Sequence, residues 1–258
     1  MRLFPAFALA FALASTSGAA IRSEVVAYRH GEVPLQGELF WDDGAKGQRP
    51  GVLIVHQWMG PTDYERMRAR QLVELGYVAF VADVYGKGVR PANANEAGAL
   101  AGSYKADRTK LRGRVAAGLE ALGSAGQADP RRLAAIGYCF GGTAVLELAR
   151  SGAGVAGVVS FHGGLDSPSP ADGRNIKARV LVLHGADDPF VPAADIAAFQ
   201  QELRDARVDW QMVWYGGAVH SFTHADAGSD ASKGAAYDEA ADRRSWRAMR
   251  AFLEEVLR

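Results

Sequence analysis

Residues 136–142 read IGYCFGG, and Cys139 at their centre is the single cysteine of a 258-residue chain. The stretch before it, RRLAAIGY, is apolar enough for a strand covered on both faces. The stretch after it, TAVLELARSG, has the character of a helix. A thiol therefore sits at a sharp strand-to-helix turn, bracketed by Gly137, Gly141 and Gly142. This is the G-x-nucleophile-x-G spacing of a nucleophile elbow, with Cys139 in place of serine. Such a turn strains its central residue, and Gly137 and Gly141 let strand and helix approach without a Cβ clash. The helix N-terminus stabilises thiolate, and the N–H of Phe140 points where an oxyanion would form.

Working outward, apolar runs alternate with amphipathic stretches. GVLIVHQ (51–57), YVAFVADVYG (77–86), VAGVVSFHG, ARVLVLHG and VDWQMVWYG read as further strands. TDYERMRARQLVELG, DRTKLRGRVAAGLEALGS (107–124), AADIAAFQQELRDA and the final AAYDEAADRRSWRAMRAFLEEVLR read as helices. SEVVAYRHG and PLQGELFWD alternate in character around a turn and predict an antiparallel pair at a sheet edge. Residues 87–105 read as a Gly- and Ala-rich connection. Strands alternating with crossover helices give an α/β class: a mostly parallel central sheet with helices on both faces. With no linker dividing these blocks, one domain is expected over residues 21–258.

Residues 1–20 differ from the rest: Arg2, then an apolar stretch from Leu3 to Ala14, then small residues. That is the grammar of a cleavable signal peptide, with Ala19 or Ala20 the last residue removed. The apolar stretch is shorter than the roughly 20 residues a bilayer span needs. A secreted or periplasmic protein is expected, with no stable membrane insertion after cleavage. Lys plus Arg and Asp plus Glu balance at 29 each, so no global field favours nucleic acid. Nothing in the sequence assigns an oligomeric state. In an oxidising compartment a lone thiol has no partner for a disulfide, so a role in packing alone is better served by Ser, Ala or Val.

Functional groups of an open parallel sheet collect at the carboxyl ends of its strands, and three motifs sit there. Beside the elbow stand HGADDPFVP (184–192) and VHSF (219–222). Nucleophile, acid, His is the chain order of α/β-hydrolases. His220 would take the thiol proton and deliver it to the leaving group. Asp188 would accept from the other imidazole nitrogen, with Asp187 the competitor for that role. The remaining histidines, His30, His56, His162, His184 and His224, show no metal-ligand spacing, so no metal is expected. His162 and His184 are expected to hydrogen-bond at strand ends.

With Cys139, Asp188 and His220 in place, the chain resembles the dienelactone hydrolase family from about residue 24 onward. GYCFGG, DPFVP, HSF, GYVAFVADVYGKG and the terminal W..M..FLEE helix carry the resemblance. It implies an α/β-hydrolase fold and a small-molecule ester or lactone substrate opened through an acyl-thioester, without cofactor. It also implies an oxyanion hole pairing the N–H of Phe140 with that of Trp58. Two departures stand out. Where the family places a glutamate that helps deprotonate the cysteine, this chain has Gln57; an amide accepts no proton but can donate a hydrogen bond. Where the family has an arginine for the substrate carboxylate, four residues past His220, this chain has His224. Arg90 and Arg108 are candidates for the family's other binding arginine. Gln57 is expected to orient Cys139 or stabilise a bound anion. Trp58, Tyr85, Phe140, Phe161, Phe190 and Phe222 are candidate wall residues, Trp58 and Phe222 the favoured ones. Residues 87–105 and 222–234 are expected to roof the pocket. The alternatives are a non-catalytic binding or scaffold protein that keeps the fold, and a redox-sensing thiol, which the lack of a second cysteine opposes.

Overall fold

The computed structural model describes residues 20–258, and the leader read over residues 1–20 lies, but for its last residue, outside the described residues. β1 (Ile21–His30) and β2 (Val33–Asp42) pair antiparallel at one edge, as the alternating sequence predicts. The continuous apolar runs become β3 (Arg49–Val55), β4 (Val78–Ala82), β5 (Ala128–Tyr138), β6 (Gly157–Phe161) and β7 (Arg179–Gly185). With β8 (Trp210–Tyr215) they complete an eight-stranded sheet in the order β1-β2-β4-β3-β5-β6-β7-β8. From β4 to β8 every neighbouring pair is parallel.

Parallel strands buried on both faces send successive side chains to opposite cores. Leu53 and Val55 of β3 face one core, with α3 (Arg108–Gly123), α4 (Phe140–Arg150) and α5 (Ala193–Asp205). Val52 and Ile54 face the other, with α1 (Asp63–Glu74) and α6 (Glu239–Val256). This is the α/β-hydrolase architecture. Among the described residues no helix is long and apolar enough to cross a membrane.

One segment departs from expectation. Within 87–105 the chain is not only a connection, because Ala94–Ala106 form a helix, α2. Asn93 caps it, its side chain accepting from the Glu96 N–H at 3.1 Å while the Glu96 carboxylate reaches back to the N–H of Ala92 at 2.8 Å. That reciprocal cap satisfies the Glu96 N–H of the first turn and the Ala92 N–H just before the helix, and offsets the helix cost of Gly98 and Gly102.

The strand order reverses between β3 and β5, since the chain runs from β3 out to β4 on one side and returns to β5 on the other. The carboxyl ends of β3 and β5 therefore frame a crevice at the switch point, where open α/β sheets bind ligands.

Candidate active site

Cys139 joins β5 to α4 with φ 55° and ψ −116°, a left-handed conformation costing a non-glycine residue about 1–3 kcal/mol. The surroundings leave it no choice. A Cβ on Gly137 would lie 2.0 Å from the Gly141 carbonyl oxygen, and one on Gly141 would lie 2.1 Å from that of Val55. The Cys139 N–H is shared between the Phe161 carbonyl at 3.0 Å and His162 Nδ1 at 3.2 Å. His162 is fully buried, and burial pushes its pKa well below the ordinary value, so the ring is neutral. Because Nδ1 accepts, the proton is on Nε2, which donates to Thr223 Oγ1 at 2.8 Å. The nucleophile's backbone is thus tied to the loop that carries His220.

That loop is pinned at its base. The His220 N–H donates to Gly234 O at 3.1 Å, and the Ala236 N–H donates to His220 O at 3.0 Å. The imidazole then bridges two distant segments, with Nε2 3.1 Å from Cys139 Sγ and Nδ1 2.8 Å from Asp188 Oδ2. Asp188 is the acid that meets it, its side chain fully buried and its other oxygen accepting from the Phe190 N–H at 2.9 Å. Asp187 is exposed.

Charge follows from this geometry. Burial alone would raise the thiol pKa, but the charge of His220, its hydrogen bond and the Phe140 N–H outweigh that, and the net shift is downward. Burial alone would likewise lower His220, yet the sulfur charge and the Asp188 hydrogen bond push it up to about 10. Each group raises the ionisation of the other, as in a thiolate–imidazolium pair.

The first turn of α4 has no side-chain cap, so the Phe140 N–H stays free to face the sulfur. Opposite it, the Gln57 carbonyl accepts from the Gly60 N–H and meets His56 Nδ1. Across the trans peptide the Trp58 N–H must point the other way. Tyr85 Oη donates to Trp58 O at 2.9 Å and holds this turn against the cleft. A cleft of about 260 Å³ lies over Cys139 and His220, with Trp58, Phe140 and Phe190 in its wall and Lys105 among its lining residues.

A sequence profile of the Dienelactone hydrolase family matches residues 35–257. The chain belongs to the dienelactone hydrolase family. Among similar proteins, uncharacterized protein K02A2.1 of Caenorhabditis elegans is 36% identical over 152 residues, covering 57% of this chain and 94% of that one. The solved structure m3DLH superposes with a TM-score of 0.89 at 41% identity, over 93% of this chain and 100% of that one. A dienelactone hydrolase-like promiscuous phosphotriesterase from metagenomic libraries, P91, gives a TM-score of 0.88 at 40% identity, with coverage of 93% and 100%. Membership in the dienelactone hydrolase family makes this chain a hydrolase of small-molecule substrates.

Against that family pattern, several expected binding residues lie elsewhere. Phe222 is not a wall residue: it is fully buried, 5.1 Å from the His162 ring and 5.4 Å from that of Tyr215, and anchors the loop from below. The cleft wall is built by Phe190 instead, 59% exposed and edge-on to His220 at 5.4 Å. Gln57 and His224 line an adjoining cavity of about 320 Å³ that shares only Trp58 with the cleft. Gln57 makes no hydrogen bond to Cys139 among the described residues, and its own N–H is held by the buried Glu65 carboxylate. His224 stacks on Tyr64 at 4.6 Å. Neither arginine candidate lines the cleft: Arg90 turns to Asp83 and to the carbonyls of Gly86 and Val89. Arg108 is buried against Asp166 and Glu147. Lys105 is the residue the sequence reading missed. Its signal was the row Gly98, Ala101, Gly102, Lys105, which places small residues and then a cation on one helix face.

Proposed function

We propose that this dienelactone hydrolase relative cleaves carboxylic esters or lactones with Cys139 as nucleophile, His220 as acid and base, and Asp188 as the orienting carboxylate. The observation that carries the reading is the pair of contacts at His220, 3.1 Å to Sγ and 2.8 Å to Oδ2. The thiolate attacks the carbonyl carbon, and its oxygen becomes an alkoxide held by the N–H groups of Phe140 and Trp58. Collapse breaks the C–O bond, the leaving oxygen takes the proton from His220 Nε2, and a Cys139 thioester remains. Water then gives a proton to the neutral imidazole as it attacks the thioester. Collapse of that second adduct expels the thiolate and restores the starting ion pair. From a lactone the leaving oxygen stays tethered, and the product is a hydroxy acid.

Mass spectrometry of protein quenched during turnover of a 4-nitrophenyl ester tests this directly. The expected result is an acyl mass increment on the Cys139 peptide that disappears as substrate is exhausted. Turnover with no such adduct, under single-turnover mixing as well, removes the covalent route. Inertness toward esters, lactones and thioesters alike favours a scaffold role for the fold.

The reading includes export, supported by the leader-like composition of residues 1–20. A mature N-terminus at Ala20 or Ile21 in a periplasmic or culture fraction is expected. An intact Met1 in the cytosolic fraction rejects it.

A further inference from the structure

An ester has two arms, and two cavities of this protein share Trp58 as a common wall. The cleft of about 260 Å³ over Cys139 is bounded by α2 and leaves space for the acyl arm. With the carbonyl oxygen at the N–H groups of Phe140 and Trp58, the leaving oxygen faces His220 Nε2. The alcohol arm then departs between the turn of Trp58 and the loop of His220. Gln57, just before Trp58, and Ser221, just after His220, both line the second cavity of about 320 Å³.

The polar groups on these two residues are unpaired. Gln57 is only 8% exposed, yet its side-chain amide has no hydrogen-bond partner among the described residues. The half-buried Ser221 hydroxyl has none either. Both keep accessible surface, so they open on the cavity and are not sealed in the core. An amide offers donors and an acceptor, a hydroxyl offers both roles at one atom, and a second hydroxyl complements either. Charge narrows the choice further. No lysine or arginine is among the lining residues described, whereas Asp226 is. Glu65 lies fully buried behind Gln57, accepting from its N–H at 3.2 Å and from the N–H and hydroxyl of Thr62 at 2.8 and 2.6 Å. Two carboxyl groups with no lysine or arginine to offset them disfavour an anion here. His224 closes another wall, stacked on Tyr64 at 4.6 Å.

We propose that the second cavity is the subsite for the alcohol part of the substrate, where Gln57 and Ser221 select an uncharged leaving group with a free hydroxyl, as in a monoester of a diol or polyol. This rests on the hydrolytic reading above and names the alcohol class of that site's substrate. A site that hydrogen-bonds a hydroxyl disfavours the analogue lacking it, because its own polar groups are then left unpaired. One neutral hydrogen bond supplies about fivefold.

The test compares three butyrates that differ only in the alcohol, 2-hydroxyethyl, n-propyl and carboxymethyl, in the wild type, Gln57→Leu and Ser221→Ala. In the wild type kcat/KM is highest for the hydroxyethyl ester and lowest for the carboxymethyl ester. In Gln57→Leu the ratio of hydroxyethyl over propyl falls about fivefold, and Ser221→Ala lowers it as well. The intrinsic reactivity of each ester, and any loss common to them, cancels when the ratio is compared between proteins. An unchanged ratio in both variants overturns the proposal, and so does a wild type that prefers the carboxymethyl ester. If Gln57→Leu does not fold, the same ratio in Ser221→Ala decides. If none of the esters is hydrolysed, the catalytic reading fails separately, and saturation-transfer NMR with glycerol decides the subsite. Transfer lost in Gln57→Leu supports it; equal transfer, or none to either protein, rejects it.

Discussion

Cys139→Ala lowers kcat/KM toward a 4-nitrophenyl ester by at least about ten-thousandfold, because removing the nucleophile of a cooperating triad leaves only binding and oxyanion stabilisation. The thermal transition should stay close to that of the wild type, since the thiol is half-buried and alanine fits the same turn. Cys139→Ser sharpens the comparison. A hydroxyl of similar size occupies the same place but does not ionise beside His220, so most of the activity is still lost. The companion measurement is the pH dependence of iodoacetamide alkylation. In the wild type the thiol ionises below its ordinary value, and the rate rises at correspondingly lower pH. In His220→Ala the imidazolium is gone while burial remains, so the rising limb moves to higher pH than in the wild type. An alkylation profile indifferent to His220→Ala would remove the ion pair. Ester hydrolysis surviving Cys139→Ala would remove the nucleophile.

Gly141→Ala is expected, with Gly137→Ala, to be among the most damaging changes that add a single methyl group. Its Cβ would stand 2.1 Å from the Val55 carbonyl oxygen and 2.7 Å from that of His56. Those atoms are backbone of the sheet's centre and of the turn leading to Trp58, so neither can rotate aside. Relief requires α4 to back away from β3, which moves the Phe140 N–H and releases the strained φ at Cys139. A cost of about 4 kcal/mol or more follows, on the order of 10 °C in melting temperature for a domain of this size. Activity should fall further than stability, because the elbow distorts before the domain unfolds. Gly102→Ala is the internal control for stability: the same methyl group, added in a helix to open space, should leave the melting temperature unchanged or slightly raised. A folded Gly141→Ala protein with wild-type melting and turnover would refute this account of the elbow.

What the sequence discloses and what it conceals divide along physical lines. β3, β5 and β7 are legible because strands covered on both faces are continuous apolar runs, and the elbow is legible because glycines at fixed offsets have one steric purpose. α2 escaped because Gly98 and Gly102 dilute its helical pattern, although Asn93 and Glu96 form a cap that could have marked its start. With the helix unrecognised, the row ending in Lys105 had no face to lie on. Asp187 and Asp188 are neighbours in the chain, and only the course of the turn after β7 decides which one meets the imidazole. Phe222 illustrates a different limit. An aromatic residue in a loop has no periodic context, so its composition cannot say whether it faces ligand or core. Gln57 and His224 sit where the family pattern places binding groups, yet here they line a neighbouring cavity rather than the cleft over the thiol.

The paired hydrogen bonds that close the His220 loop at Gly234 and Ala236 have a consequence for how this molecule can change. Residues 221–223 are gripped by Phe222 in the core and by Thr223 against His162 and Tyr64. The stretch 224–233, by contrast, is an excursion whose two ends are already fastened. Its length and chemistry can drift across generations while the imidazole keeps its bearing. Asp226 and Ala227 line the second cavity from that excursion, so one wall is free to be rewritten for new ligands while the proton-transfer apparatus is inherited unchanged.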